Sequence, residues 1–384
     1  MYFKESHIFR SGGASNFRIP SIVATKRGTI LAFCNDRRNT SSDHADEMNL
    51  VMCRKERGGE WSEPIILGSM PGWAHMINAA VYDAITDTVF LSASRNAVML
   101  NEFGNYTEAE RRDARARAEA EAAAAGVHLG AYLLVSTDDG RTFTERPHVI
   151  TPTKFAGGEY IGFSHGSAPG IQLQYGKYAG RLLCPARFMT GHYTTIDGLQ
   201  TYGFNNAVWS DDHGATWHSG MPVQPGTGEG TLIERADGSI LYNSRAYYHD
   251  GKRYLAVSRD GGETFGEFST DDYLMEETNC GCNASFLRAE TEAGALTLFA
   301  NPRAATRRNM TVCVSRDDGA TWCAAKQIRA GQSGYSALAY ADGRFYLVYE
   351  HGEQSSISDG LSAAEFDAEW LFGTPADTEN MRQM

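Results

Sequence analysis

Two kinds of residue cluster in this 384-residue chain have the spacing to do chemistry. The first is an acidic phrase that occurs four times: STDDGRTF at 136–143, SDDHGATW at 210–217, SRDGGETF at 258–265 and SRDDGATW at 315–322. Repeated aspartates invite a calcium reading, but an EF-hand loop needs a spaced run of oxygens ending in Glu, and no copy has one. The second is Cys280-Gly281-Cys282. A metal site there needs two more ligands at workable spacing, and none stands out. No metal or organic cofactor is expected at either place.

The acidic phrase reads instead as a hairpin turn, Ser-x-Asp-x-Gly-x-Thr-aromatic. Its Asp can hold the turn shut through backbone N–H groups two residues on. Its Gly supplies a positive φ, and the closing Phe or Trp buries a large apolar surface. The serines stand at 136, 210, 258 and 315, and a worn fifth copy, RKERGGEW, occupies 54–61. A turn phrase repeated at such intervals marks a radial β architecture.

The rest of the chain fits that frame. Short strand-like runs such as 29–33, 88–93, 181–185, 239–243 and 311–315 recur throughout, and each repeated phrase directly follows one. No linker or charge block divides the chain, so one domain is expected over 1–384. Residues 107–125 break the rhythm with strong helix formers ending at Gly126, which predicts a solvated helix between two strands. Residues 375–384 are polar and read as a frayed end. A net charge of −12 argues against nucleic acid as a partner. It also means that any anion site must carry its own cations. No apolar run approaches a membrane helix, and the start shows no secretory signal, so a cytoplasmic protein is expected. Seven cysteines, mostly in apolar runs, read as reduced and buried thiols.

Phe17-Arg18-Ile19-Pro20 opens a strand-like run, and by itself is a weak motif. Followed by several copies of the acidic turn, it makes the chain resemble the sialidase (neuraminidase) family over nearly its whole length. The family's fold is the six-bladed β-propeller, and its acidic turns are called Asp boxes. The resemblance therefore implies an all-β, six-bladed β-propeller with one short helical insertion. It also implies hydrolysis of terminal sialic acid from glycoconjugates, so sialylated glycans are the expected partners.

Sialic acid carries a carboxylate on its anomeric carbon, and the family grips it with three arginines, whose guanidinium forks match a carboxylate. The resemblance places these at Arg18, at Arg245 in LYNSR, and at Arg307 in RRNMT, with Arg308 the adjacent alternative. Asp43, twenty-five residues after Arg18, matches the family's acid, with Asp46 the nearby competitor. Arg38 matches the arginine near the sugar 4-hydroxyl. Tyr335 in GYSAL matches the nucleophile, Glu229 in GTGEG its base, and Glu350 the buried acid that buttresses an arginine. A tyrosine suits this chemistry, because a carboxylate nucleophile would be repelled by the substrate's own carboxylate. A phenol is neutral but needs a base beside it.

The chain departs from its relatives at Pro185-Ala186-Arg187-Phe188-Met189, and matches them only loosely at His75-Met76-Ile77-Asn78, near the acyl pocket. The resemblance thus leaves open a glycosidase for a related 2-keto sugar acid. A propeller that binds sialoglycans without cutting them needs the arginines but not the Tyr–Glu pair and the acid.

Overall fold

The computed structural model describes residues 1–43, 45, 47–70, 73–97, 107–152, 162–165, 168–196, 199–353 and 359–373. Asp46 and residues 375–384 lie outside these. The chain is all-β, with two α-helices among the described residues.

Strand β1 (Phe3–Arg10) is followed by an antiparallel run of β2 (Ser15–Ala24), β3 (Ile30–Arg38), β4 (Met48–Lys55) and β5 (Ile65–Gly68). The next run is β6 (Trp73–Asp83), β7 (Thr88–Ala97), β8 (Gly130–Ser136) and β9 (Thr144–Pro147), with helix α1 (Glu108–Ala125) between β7 and β8. One parallel bridge, Met48 to Ala74, joins the two runs into an eight-stranded sheet. A six-stranded sheet follows, made of β10 (Ile150–Thr151), β11 (Gly162–His165), β12 (Ile171–Gln172), β13 (Leu182–Ile196), β14 (Leu199–Ser210) and β15 (Trp217–Ser219). A four-stranded sheet contains β16 (Thr227–Glu234), β17 (Ile240–Ala246), β18 (Arg253–Ser258) and β19 (Gly266–Asp271). The last sheet runs through β20 (Ser285–Thr291), β21 (Gly294–Pro302), β22 (Arg308–Ser315), β23 (Ala324–Ala341), β24 (Arg344–Gly352) and β25 (Gly360–Asp367), and takes β1 as its seventh strand. Helix α2 (Ala368–Phe372) ends the described chain.

Successive residues of the inner strands go to opposite faces, and both faces are buried. Ile30, Ala32 and Cys34 of β3 pack with Ala337, Val348 and Leu361, whereas Leu31 and Phe33 pack with Ile77, Leu91 and Leu134. Ile240 and Tyr242 of β17 meet Leu183 and Ala207, while Leu241 meets Phe286 and Phe299. A strand covered on both sides reads as a near-continuous apolar run rather than an alternating one. This is why the sequence shows short apolar runs throughout.

The repeated phrase makes one turn four times. Ser136 Oγ donates to Asp138 Oδ1 (2.8 Å) and accepts from Gly140 N (2.9 Å). The Asp138 carboxylate accepts from the backbone N of Arg141 and Thr142, three and four residues on, a longer reach than the two-residue bond read from sequence. Equivalent bonds recur at Ser210, Ser258 and Ser315. Burial raises the cost of the Asp138 charge, but the Thr142 and Ser136 bonds more than offset it and hold the carboxyl at about 2. The turn glycines also seat each run on the one before. A Cβ at Gly140 would meet Leu31 of β3 at 2.5 Å, one at Gly214 Phe90 of β7 at 2.6 Å, and one at Gly262 Leu183 of β13 at 2.5 Å. Glycine is thus required twice over, by a positive φ and by a close approach.

Helix α1 has a capping box between Thr107 and Glu110 and a left-handed cap at Gly126. Among its described residues, Ala122 packs on Trp73 of the body. Five cysteines are buried; Cys280 is partly exposed and Cys323 is exposed, and all seven are free thiols.

Two outcomes are expected. Gly214→Ala adds a methyl group against Phe90 at φ 78°, and should cost about 1–3 kcal/mol, read as a lower urea midpoint at unchanged slope. His148 and His351 are buried, and burial lowers them to about 3 and about 4. Unfolded histidine titrates near about 6.5, so the unfolded chain binds more protons from there down to the folded values. Their contribution is complete above about pH 6.5 and is lost as pH falls toward about 4. Thermal unfolding followed by circular dichroism should show Tm dropping steadily across that window.

Candidate active site

Three strands carry a break in register at a residue singled out by sequence. The pairing of β2 with β3 shifts between Arg18 and Ser21, that of β16 with β17 between Thr227 and Gly230, and that of β23 with β24 between Ser333 and Ser336. Arg18, Glu229 and Tyr335 lie at or within these bulges, which re-aim side chains at the end of a strand. The first bulge puts Ile19 at φ 64°, an uncommon place for a β-branched residue.

That conformation is held by Glu350 on β24, which is 0% exposed. Its Oε1 accepts from Arg18 Nε (2.7 Å) and Ile19 N (2.8 Å), and its Oε2 accepts from Tyr335 N (2.9 Å). One carboxylate thus fixes Arg18, the strained backbone after it and the backbone of Tyr335.

The Tyr335 side chain points at two others. Its OH donates to Glu229 Oε2 at 2.6 Å, and Arg245 Nη1 donates to both the Tyr335 oxygen (2.6 Å) and Glu229 Oε2 (2.5 Å). Burial pushes Tyr335 well above the usual phenol range; the positive charge of Arg245 pulls the other way without reversing it. Burial would raise Glu229 too, but the charges of Arg245 and Arg187 and the Tyr335 hydrogen bond bring it below the usual carboxylate value. The pair is therefore a neutral phenol on an ionised carboxylate, with a guanidinium touching both.

Arg307, at the head of β22, faces the same ring: its guanidinium carbon lies 5.6 Å from the Tyr335 ring centroid, and that of Arg245 lies at 5.9 Å. Residues 277–282 bracket the two arginines. Arg245 Nε donates to Cys280 O (2.8 Å) and Arg307 Nη2 to Gly281 O (2.9 Å). The bracket is held by buried acids, with Glu277 accepting from the backbone N of Asn279 and Cys280, and Glu276 from that of Cys282. Glu276 in turn pairs with the fully buried Arg253. Gly281 has φ 67°, and a Cβ there would sit 2.8 Å from Arg245 Cγ.

Asp43 lies on an exposed loop with 73% of its side chain accessible, and its Oδ1 is 2.6 Å from Arg37 Nη2. Arg37 also donates to Ser41 O (2.7 Å), as does Arg18 (3.4 Å), so Asp43 stands beside the Arg18 corner. Arg38 faces elsewhere, donating to Ser15 Oγ (2.6 Å) and Asp36 Oδ2 (3.0 Å). Arg308 pairs with Gln332 at the strand edge and is exposed.

Arg18, Glu229, Arg245, Arg307, Tyr335 and Glu350 therefore share one linked network. Asp43 flanks it through Arg37, and Arg38 lies outside it. Sequence reasoning missed Arg37, the 277–282 bracket and Arg187. The available signals were Arg37 beside Arg38 and the glycine between Cys280 and Cys282. His75 is buried, its Nδ1 bonded to Tyr132 OH at 2.9 Å, and burial lowers it to about 4. The side chains of Phe188 and Met189 lie outside the described residues.

Glu350→Gln replaces an acceptor oxygen by an amide donor facing a backbone N–H, and leaves Arg18 without its counter-charge. It is expected to cost about 3–5 kcal/mol, measured by urea unfolding.

A BNR repeat-like domain model matches residues 55–347. The chain is 33% identical to a sialidase of Micromonospora viridifaciens over 377 residues, which is 94% of this chain and 53% of that protein. It is 30% identical to an exo-alpha-sialidase of Aspergillus fumigatus over 320 residues, 79% of this chain and 69% of the relative. It thus spans about half the length of the Micromonospora relative. Among solved structures, the intramolecular trans-sialidase from Ruminococcus gnavus superposes with a TM-score of 0.70 at 18% identity, covering 96% of this chain and 99% of that one. The Hadza microbial sialidase gives 0.72 at 23% identity, over 93% and 66%. The repeated acidic turns, the linked Arg–Tyr–Glu network and these likenesses together place the chain in the sialidase family, with a BNR repeat-like domain over most of its length.

Proposed function

We propose that this chain is a retaining exo-α-sialidase acting on terminal sialic acid of glycoconjugates. The observation that carries the reading is the Tyr335 hydroxyl, held between Glu229 Oε2 and Arg245 Nη1 at 2.6 Å from each. Glu229 is placed to take the phenol proton as the oxygen attacks the anomeric carbon, and Arg245 to stabilise the charge that develops on it. Arg18, Arg245 and Arg307 grip the substrate carboxylate. The glycosidic bond breaks as the leaving oxygen takes a proton from Asp43, which enters the step as the carboxylic acid, having parted from Arg37 and taken up a proton from solvent. The sialyl group is then carried on Tyr335. Water, deprotonated by Asp43, attacks the same carbon and releases the phenol, which regains its proton from Glu229.

For the scaffold, we read a six-bladed β-propeller in a single domain. Six apolar clusters support this, each joining one four-strand run to the next, the last closing back through β23, β24 and β25 onto β2, β3 and β4. The repeated turns then serve as Asp boxes, each joining two paired strands within a blade and packing on the blade before, and β1 completes the final blade.

The test is release of fluorophore from a fluorogenic α-sialoside. Wild type should turn over, and Glu229→Gln should lose about 10²–10⁴-fold in kcat. Tyr335→Phe should lose several orders of magnitude with its fold intact by circular dichroism. Equal turnover by wild type and Tyr335→Phe would remove the tyrosine from the role of nucleophile. A folded wild type that binds sialic acid without turnover would leave a binding protein.

A further inference from the structure

The bracket that positions Arg245 and Arg307 carries a thiol within reach of both. Cys280 Sγ lies 3.5 Å from Arg245 Nη2 and 3.7 Å from Arg307 Nη2. A second observation makes this more than a cysteine in a loop. Arg245 is 93% buried, its residue exposure being 7%, and among the described residues Cys280 Sγ is the only acceptor of its Nη2. A thiol sulfur is a weak acceptor. Arg307 Nη2 also donates to Gly281 O, but Arg245 Nη2 has only this weak acceptor among the described residues, and a buried guanidinium donor so poorly matched favours an anion oxygen in its place.

An anion can arrive in two ways: as a carboxylate from outside, or as an oxygen added to the sulfur itself. We propose that Cys280 is an oxidative modification site which, when oxidised, occupies the paired arginines and closes the anion site. This rests on the reading of Arg245 and Arg307 as donors to the substrate carboxylate. The oxidant is a peroxide. The sulfur attacks one peroxide oxygen, an S–O bond forms as the O–O bond breaks, and the sulfur gives up two electrons. The thiol proton leaves with the departing hydroxide as water, giving a sulfenic acid. The new oxygen is carried toward the Nη2 atoms, into the range of about 2.8 Å typical of guanidinium–oxygen bonds. A small thiol reverses the change: it condenses with the sulfenic acid to a mixed disulfide and water, and a second thiol then displaces Cys280.

The neighbouring thiols do not compete. Cys282 is fully buried, and burial pushes it up to about 12, as it does Cys53 and Cys313. The remaining accessible thiol is Cys323, which sits after the fourth acidic turn, away from the bracket.

The experiment uses the full chain carrying Cys323→Ala. It is treated with hydrogen peroxide, and sulfenic acid is trapped with a dimedone-type reagent and located by peptide mass mapping. Label is expected on Cys280, more slowly when sialic acid is present. Turnover of the fluorogenic sialoside should fall by at least about tenfold and return with dithiothreitol. Cys280→Ala and Cys280→Ser in the same background, each checked for folding by thermal melt, should keep their own starting rates through the treatment. Absence of label on Cys280 would overturn the proposal, as would equal peroxide sensitivity in the Cys280 variants. If the untreated protein shows no turnover, the sialidase reading fails by itself. The same samples then decide the modification site by calorimetric titration with sialic acid, where binding unchanged by Cys280 oxidation would overturn it.

Discussion

A single buried carboxylate sets the geometry on which the site depends. Glu350 has no exposure and three donors, from Arg18, Ile19 and Tyr335. These come from β2 and β23, strands more than 300 residues apart in sequence. A buried charge is tolerable only with partners arranged to meet it. The requirement runs both ways, because Ile19 keeps its unfavourable φ only while its N–H has that acceptor. The cost of burying Glu350 thus becomes precision in the placement of an arginine and a tyrosine.

The other half of the site is built on the same logic. Arg245 is lined up by a backbone carbonyl at Nε and by Glu229 and Tyr335 at Nη1. The bracket that supplies the carbonyl is anchored by Glu277 and by Glu276, itself neutralised by Arg253. The bracket is thus backed by the buried Glu276–Arg253 pair, as Tyr335 is by Glu350 with Arg18. The β-bulges complete the arrangement by turning side chains out of the alternation that the apolar clusters demand elsewhere.

Much of this was legible in the sequence, and the reason differs by part. The acidic turns are local: Ser, Asp, Gly and Thr bond to one another within eight residues, so the pattern carries its own geometry. Arg18, Glu229, Arg245, Tyr335 and Glu350 stood out through motifs around each. Arg37 did not, because neighbours on a strand point to opposite faces and the sequence alone does not say which faces inward. The 277–282 bracket was also illegible, since its meaning lies in contacts with Arg245 and Arg307 rather than in its own spacing. The order of sheets was hidden for a related reason. Strands buried on both faces carry no mark of which neighbour lies on which side.

The pairing of β1 with β25 has a consequence for how the molecule comes into being. Register runs from Phe3 opposite Phe366 to Arg10 opposite Gly360. During synthesis β1 emerges long before β25, so this strand waits with an open edge while the sheets between assemble. Such non-local closure is slow, because the loop entropy is spent before the contacts form. Once made, it works as a clasp: β25 lies between β1 and β24, and neither β1 nor β25 can peel away without breaking a ladder that the other helps to hold.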